Sequence, residues 1–112
     1  MFIAQEVALE LVTQLRTIVP LIAREDRDLA DQLKRAASSV VLNLAEGNKS
    51  AKGNRQKHFA IAHGSASEVR AALATAVAWG WIEEASAAPA VLDRLMALLW
   101  RLRFPRPGRA AS

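Results

Sequence analysis

The sequence has no cysteine and no tyrosine among its 112 residues. Without cysteine, the chain has no disulfide, thiolate zinc site, iron–sulfur cluster or cysteine nucleophile. The absence suits a reducing cytoplasm, the expected location. Glycine and proline are scarce, at 5 and 4 residues, and they bunch near the ends of apolar-periodic segments or in the C-terminal tail. No apolar run approaches the ~20 residues that span a bilayer, so no membrane partner is expected. The start, Met1-Phe2-Ile3-Ala4-Gln5-Glu6, carries an early acidic residue and no basic stretch, unlike a signal peptide. What is present is 52% hydrophobic and 23% charged residues, dominated by alanine and leucine. That composition fits one helical core.

Apolar residues recur at helical spacing in four segments. The first stripe is Ala4, Val7, Leu11, Leu15, Ile18 and Ile22, widened by Val12 and Val19. Pro20 should kink or end this helix near Val19, and Arg24–Arg27 should form a short polar connection. The second stripe, Leu29, Leu33, Ala36, Val40 and Leu44, starts near Asp28 and should stop at Gly47-Asn48. Residues 48–54 read as a basic loop. A third helix is expected from about Asn54 to Gly80, with Phe59, Ala62, Ala66, Val69, Leu73 and Ala76 inside. Gly64, Ser65 and Ala66 should allow a close helix approach. Gly80 is a natural C-terminal cap, with Trp81-Ile82 folding back over the helix end. A fourth helix opens across Ser86–Pro89 and carries Leu92, Leu95, Leu98, Leu99 and Leu102.

No strand pattern occurs, and short connections make sequential helices antiparallel neighbours. The expected fold is therefore all-α: an antiparallel up-down-up-down four-helix bundle over residues 1–104, with a flexible basic tail over residues 105–112. The fourth helix is apolar around much of its circumference, and Trp79, Trp81 and Trp100 fall near helix ends. Both features point to self-association.

Polar residues interrupt the two central stripes. Ser39, Asn43 and Glu46 lie four and three apart on one helical face, as do Ser65 and Glu68, three apart. Folding this hairpin about its loop pairs residues whose numbers sum to about 101. Asn43 then falls near His58, Glu46 near Arg55, and Arg35 within a turn of Glu68. Because buried polar groups need partners, an interhelical network of Arg35, Ser39, Asn43, Glu46, Ser65 and Glu68 is expected, with Arg35–Glu68 as its ion pair.

The run Asn43-Leu44-Ala45-Glu46-Gly47, followed by Gly64-Ser65-x-x-Glu68, resembles the four-helix bundle family of 23S rRNA intervening-sequence proteins. That family also includes the accessory variability proteins of diversity-generating retroelements. The resemblance is strong over the two central helices and rests on length and pattern for the outer two. It implies a bundle that assembles as a homopentameric ring. In retroelement members it implies engagement of a reverse transcriptase and of nucleic acid through basic surfaces. Arg35, Asn43, Glu46, Gly47, Gly64, Ser65 and Glu68 match the pattern. His63, where arginine is expected, departs from it, as does Lys52-Gly53-Asn54 in place of a serine-containing helix start.

Enzymatic readings find little support in the residues. The di-iron bundles need Glu-x-x-His on two helices, which this chain lacks, and His58 and His63 point about 140° apart on one helix. Ser39 and Ser65 sit in no nucleophile elbow, and no phosphate-cradling glycine loop is present. No catalytic, metal or cofactor residue is assigned.

The strongest functional candidates are basic. Lys49, Lys52, Arg55 and Lys57 gather near one bundle end, and Arg101, Arg103, Arg106 and Arg109 near the C-terminus. Net charge is +4. An antiparallel fourth helix would bring the two groups together for salt-dependent, sequence-independent phosphate binding. Phe104 is the one aromatic within a basic group, which argues against base-sequence reading. The expected function is a non-enzymatic, self-associating scaffold that binds RNA, DNA or a nucleoprotein partner weakly. The alternative is a protein-only interaction module that docks a partner on its Trp/Leu surface.

Overall fold

In a computed structural model, residues 2–105 are described. They form four α-helices: α1 Ile3–Glu25, α2 Arg27–Lys49, α3 Lys52–Ala78 and α4 Pro89–Arg103, with a single 3-10 turn at Glu84–Ala87 before α4. No strand occurs among the described residues. The expected tail at 105–112, with Arg106 and Arg109, lies outside the described residues apart from Pro105.

Each helix turns its apolar stripe inward. The buried set runs from Ala4, Val7, Leu11, Leu15, Ile18 and Ile22 on α1 to Leu92, Leu95 and Leu99 on α4. α1 packs on α2 and α4, and α3 packs on the same two helices. The result is a rod of 49 × 20 × 20 Å. α2 and α3 run in opposite directions, with Gly47 against Phe59 near one end and Ser39 bonded to Ser65 about two turns away. α3 and α4 also run oppositely, because His63 meets Arg103 while Arg70 meets Asp93. Phe2, just before α1, meets Phe59 with ring centroids 6.4 Å apart. α1 and α3 therefore start at the same end of the rod.

Three boundaries differ from those the sequence suggests. Pro20 lies inside α1, which continues to Glu25. An interior proline costs about 3 kcal/mol. Ending the helix there would forfeit burial of Ile22, held at 0% exposure, worth ~1.5–3 kcal/mol by itself, together with the helical turn that seats it. Pro20 is on the exposed side, where water can take the carbonyl that lost its partner. The connection to α2 shrinks to Asp26, whose carboxylate accepts from the Leu29 amide at 2.9 Å as an N-cap.

Gly47 does not stop α2, which continues to Lys49. Its role is steric: a Cβ there would lie 2.6 Å from the buried Phe59 ring. The expected loop at 48–54 is correspondingly reduced to Ser50-Ala51, and α3 begins at Lys52. Gly64 is the converse case. It is exposed, and nothing lies within 4 Å of a Cβ added to it. The close helix approach expected at Gly64-Ser65-Ala66 is made by Ser65 and Ala66, both buried.

Gly80 caps α3 as expected, at φ 80°. The Trp81 amide donates to the Ala76 carbonyl and the Gly80 amide to that of Val77, the paired bonds of a Schellman cap. Ile82 folds back into the core. Trp79 and Trp81 stack at 5.7 Å over that end.

The two glycines should respond oppositely to alanine. In urea unfolding, Gly47→Ala should lower stability by about 1–3 kcal/mol through overpacking against Phe59. Gly64→Ala should raise it by up to about 1 kcal/mol, the usual gain in an exposed helix interior.

Candidate functional site

The α2–α3 seam holds a chain of hydrogen bonds. Ser65, 8% exposed, donates to the Ser39 hydroxyl at 2.8 Å. The Asn43 amide donates to the Ser39 carbonyl at 2.9 Å and lies 3.1 Å from its hydroxyl. Asn43 Oδ1 lies 3.0 Å from His58 Nδ1. The hairpin arithmetic placed this last pair correctly. Among the described residues, no buried side-chain nitrogen or oxygen lacks a partner.

The charged half of the expected network does not form. Arg35 and Glu68 are both exposed, and the ion pairs among the described residues are Lys49–Glu46 and Arg70–Asp93. Register alone misleads here. Arg35 is nine residues from Leu44, and Glu68 nine from Phe59, so each lies about 180° around its helix from a core residue. Exposed charges stay solvated, and pairing them gains ~0–1 kcal/mol at most. Glu46, likewise exposed, turns to Lys49 at 3.4 Å rather than to Arg55.

Lys49, Lys52, Arg55 and Lys57 are all exposed around the Ser50-Ala51 connection. α3 begins there with no side-chain cap and no acidic residue in its first turn. Its first amides are therefore unpaired donors at the positive end of the helix dipole. The opposite end of the rod carries Glu25, Asp26, Asp28, Glu83 and Glu84, set against Arg24 and Arg27. The rod is electrically polar along its length.

Arg101 and Arg103 are exposed near the end of α4. Arg103 donates from Nη1 to His63 Nδ1 at 3.2 Å and lies over the Phe104 ring at 5.0 Å. His63 meets Trp100 edge-on at 6.0 Å, and Trp100 contacts Phe104 at 4.5 Å. His63 is level with the α4 terminus, about 9 Å along α3 from Lys57 and about 16 Å from Lys52 by helix rise. The two basic groups thus occupy the same half of the rod without merging into one cluster. Trp100 is in this half, whereas the Trp79–Trp81 stack is at the other end. The outer face of α4 is also less apolar than expected, since Leu98 and Leu102 are half-buried.

This aromatic and basic cluster was missed in the sequence, although the signal was there. The numbers of His63 and Trp100 have the same sum as those of Arg70 and Asp93, the hairpin arithmetic of α3 with α4. Partial burial first, and the Arg103 charge second, hold the His63 pKa below 6.5. No group of three His, Asp or Glu residues suited to a metal exists among the described residues. No described helix is long and apolar enough to cross a membrane.

Residues 2–98 match the model of the 23S rRNA-intervening sequence protein family. The chain belongs to that family. A solved structure of similar fold is a protein of unknown function from the S23 ribosomal protein family of Bacteroides thetaiotaomicron. It has a TM-score of 0.82 and 15% identity, over 91% of this chain and 99% of that one. At that identity the likeness speaks for the fold alone. Comparison with curated proteins gives no match.

The fold favours neutral His63, so the unfolded chain holds that proton more tightly. The resulting stability is present above pH 6.5 and is lost as the pH falls through the folded value. NMR titration should place the His63 midpoint below 6.5. Arg103→Met should move it partway back, because burial, the larger cause, remains.

Proposed function

We propose that this family member is a non-enzymatic, cytoplasmic scaffold that binds nucleic acid through phosphate contacts at one end of the rod, without reading base sequence. The observation that carries this reading is the gathering of Lys49, Lys52, Arg55 and Lys57, all exposed, around an uncapped helix start. Cations beside unpaired amides at the positive end of a helix dipole favour phosphate. The acidic residues at the far end would turn a polyanion toward this one. The family is named for sequences within 23S rRNA, which fits an RNA or DNA partner. A nucleoprotein such as a reverse transcriptase is compatible with the same surface.

Within this reading the four helices form a complete up-down-up-down bundle, and copies of it assemble into a homopentameric ring. Five basic ends would then act together and raise the avidity of weak single contacts. The Ser39–Asn43–His58–Ser65 chain has a structural role, setting the register between α2 and α3.

The test is a salt titration on a short duplex and on a single strand. With four phosphate contacts, affinity should fall about a hundredfold from 50 to 200 mM salt. Reversing Lys49, Lys52, Arg55 and Lys57 to glutamate should abolish binding without loss of helical circular dichroism. Salt-independent binding, or binding that survives the reversal, would sink the proposal. Capture of a protein partner that survives the reversal would favour docking on the Trp/Leu surface instead. Solution mass should come to five times the 12.2 kDa chain, and a monomer would remove the ring.

A further inference from the structure

We propose that Trp100 and Phe104 form a stacking platform for an unpaired base of a single-stranded nucleic acid. The inference rests on the nucleic-acid reading above and names the form of strand taken. Trp100 is 57% exposed and Phe104 47%, although the two rings are in mutual contact at 4.5 Å. Trp79 is as open at the far end of the rod, but that end carries Glu83 and Glu84, whereas Trp100 and Phe104 sit beside Arg103.

The surroundings hold the rings in place while leaving them open. His63 meets Trp100 edge-on, at an interplanar angle of 83°, which restrains the indole from the α3 side. Arg103 is tied to His63 and lies over Phe104. The ionisable groups seen against the rings are a guanidinium and an imidazole. Aromatic faces beside cations take nucleobases and their phosphates together. An acidic surface would serve a different partner.

The placement relative to the basic end supports the same occupant. Lys52 lies eleven residues before His63 on α3, three helical turns, so the two share one face to within about 20°. Arg55 is about 60° to one side of Lys52. α4 ends level with the start of the His63 turn, leaving the first turns of α3 beyond it. A strand whose backbone follows Lys52 and Arg55 along α3 is thereby led to the rings, where an unpaired base can stack. A duplex keeps its bases stacked inside and offers the platform only its phosphates.

The test compares three probes on the full-length chain: an oligo-dT strand, a duplex of equal length, and heparin, a polyanion without bases. Trp100→Ala should weaken oligo-dT binding about tenfold or more and leave duplex and heparin binding within about twofold. Phe104→Ala should act in the same direction, and Trp100→Phe should restore most of the affinity. In a Trp79→Phe/Trp81→Phe chain, the remaining indole should be quenched by oligo-dT and not by heparin.

Equal weakening toward all three probes, or strand binding without indole quenching, overturns the platform while leaving phosphate binding intact. Failure of every probe to bind at low salt overturns both readings. Selective loss of a captured protein partner in Trp100→Ala, with oligo-dT binding unchanged, assigns the rings to a protein and also overturns the platform.

Discussion

The architecture depends on the close approach of α2 and α3 at Gly47 and Phe59. A missing side chain on one helix lets the aromatic ring of the other settle against its backbone. Phe2 then packs on that ring and brings the start of α1 to the same end. With this point fixed, the rest of the seam follows. Asn43 comes opposite His58, and Ser39 opposite Ser65. These polar groups provide a second constraint, because a one-turn slip would leave half-buried hydroxyl and amide groups without partners, at about 1–3 kcal/mol each. The apolar contacts would tolerate several alignments, whereas the glycine and the hydrogen bonds tolerate one.

α3 organises both of its neighbours. Its two histidines, five residues apart, point to different seams: His58 reaches α2, and His63 reaches Arg103 and Trp100 on α4. One seam is hydrogen-bonded and partly buried. The other is open, aromatic and cationic. The same helix carries Lys52, Arg55 and Lys57 at its uncapped start, so the features that favour an anionic partner lie along one element and the end of its neighbour. Family membership by itself leaves the role open, and the charge distribution is what supports the proposed anionic partner.

Much of the fold was legible in the sequence. The stripes of all four helices, the Gly80 cap with its folded-back Ile82, and the Asn43–His58 pair follow from spacing and turn chemistry, which act over a few residues. The errors share a cause. At Pro20 local propensity predicts a kink or an end of the helix, and the burial of Ile22 decides against the end. At Gly47 glycine's habit of ending helices predicts a cap, whereas the residue is there for a ring on another helix. Register alone sets Arg35 beside Glu68, but both side chains face outward. At Gly64 the run of small residues predicts a helix contact that Ser65 and Ala66 make.

The amino-acid sequence by itself determined that the chain is helical, that its helices are amphipathic, and that its positive charge concentrates near the middle connection and the C-terminal helix. These properties depend on composition and on periods of a few residues. Only the tertiary structure decided which polar groups meet, which glycine is a contact and which is free, and that His63, Arg103, Trp100 and Phe104 form one cluster. Those relations join residues up to forty positions apart, and only the packing of whole helices brings such distant positions together.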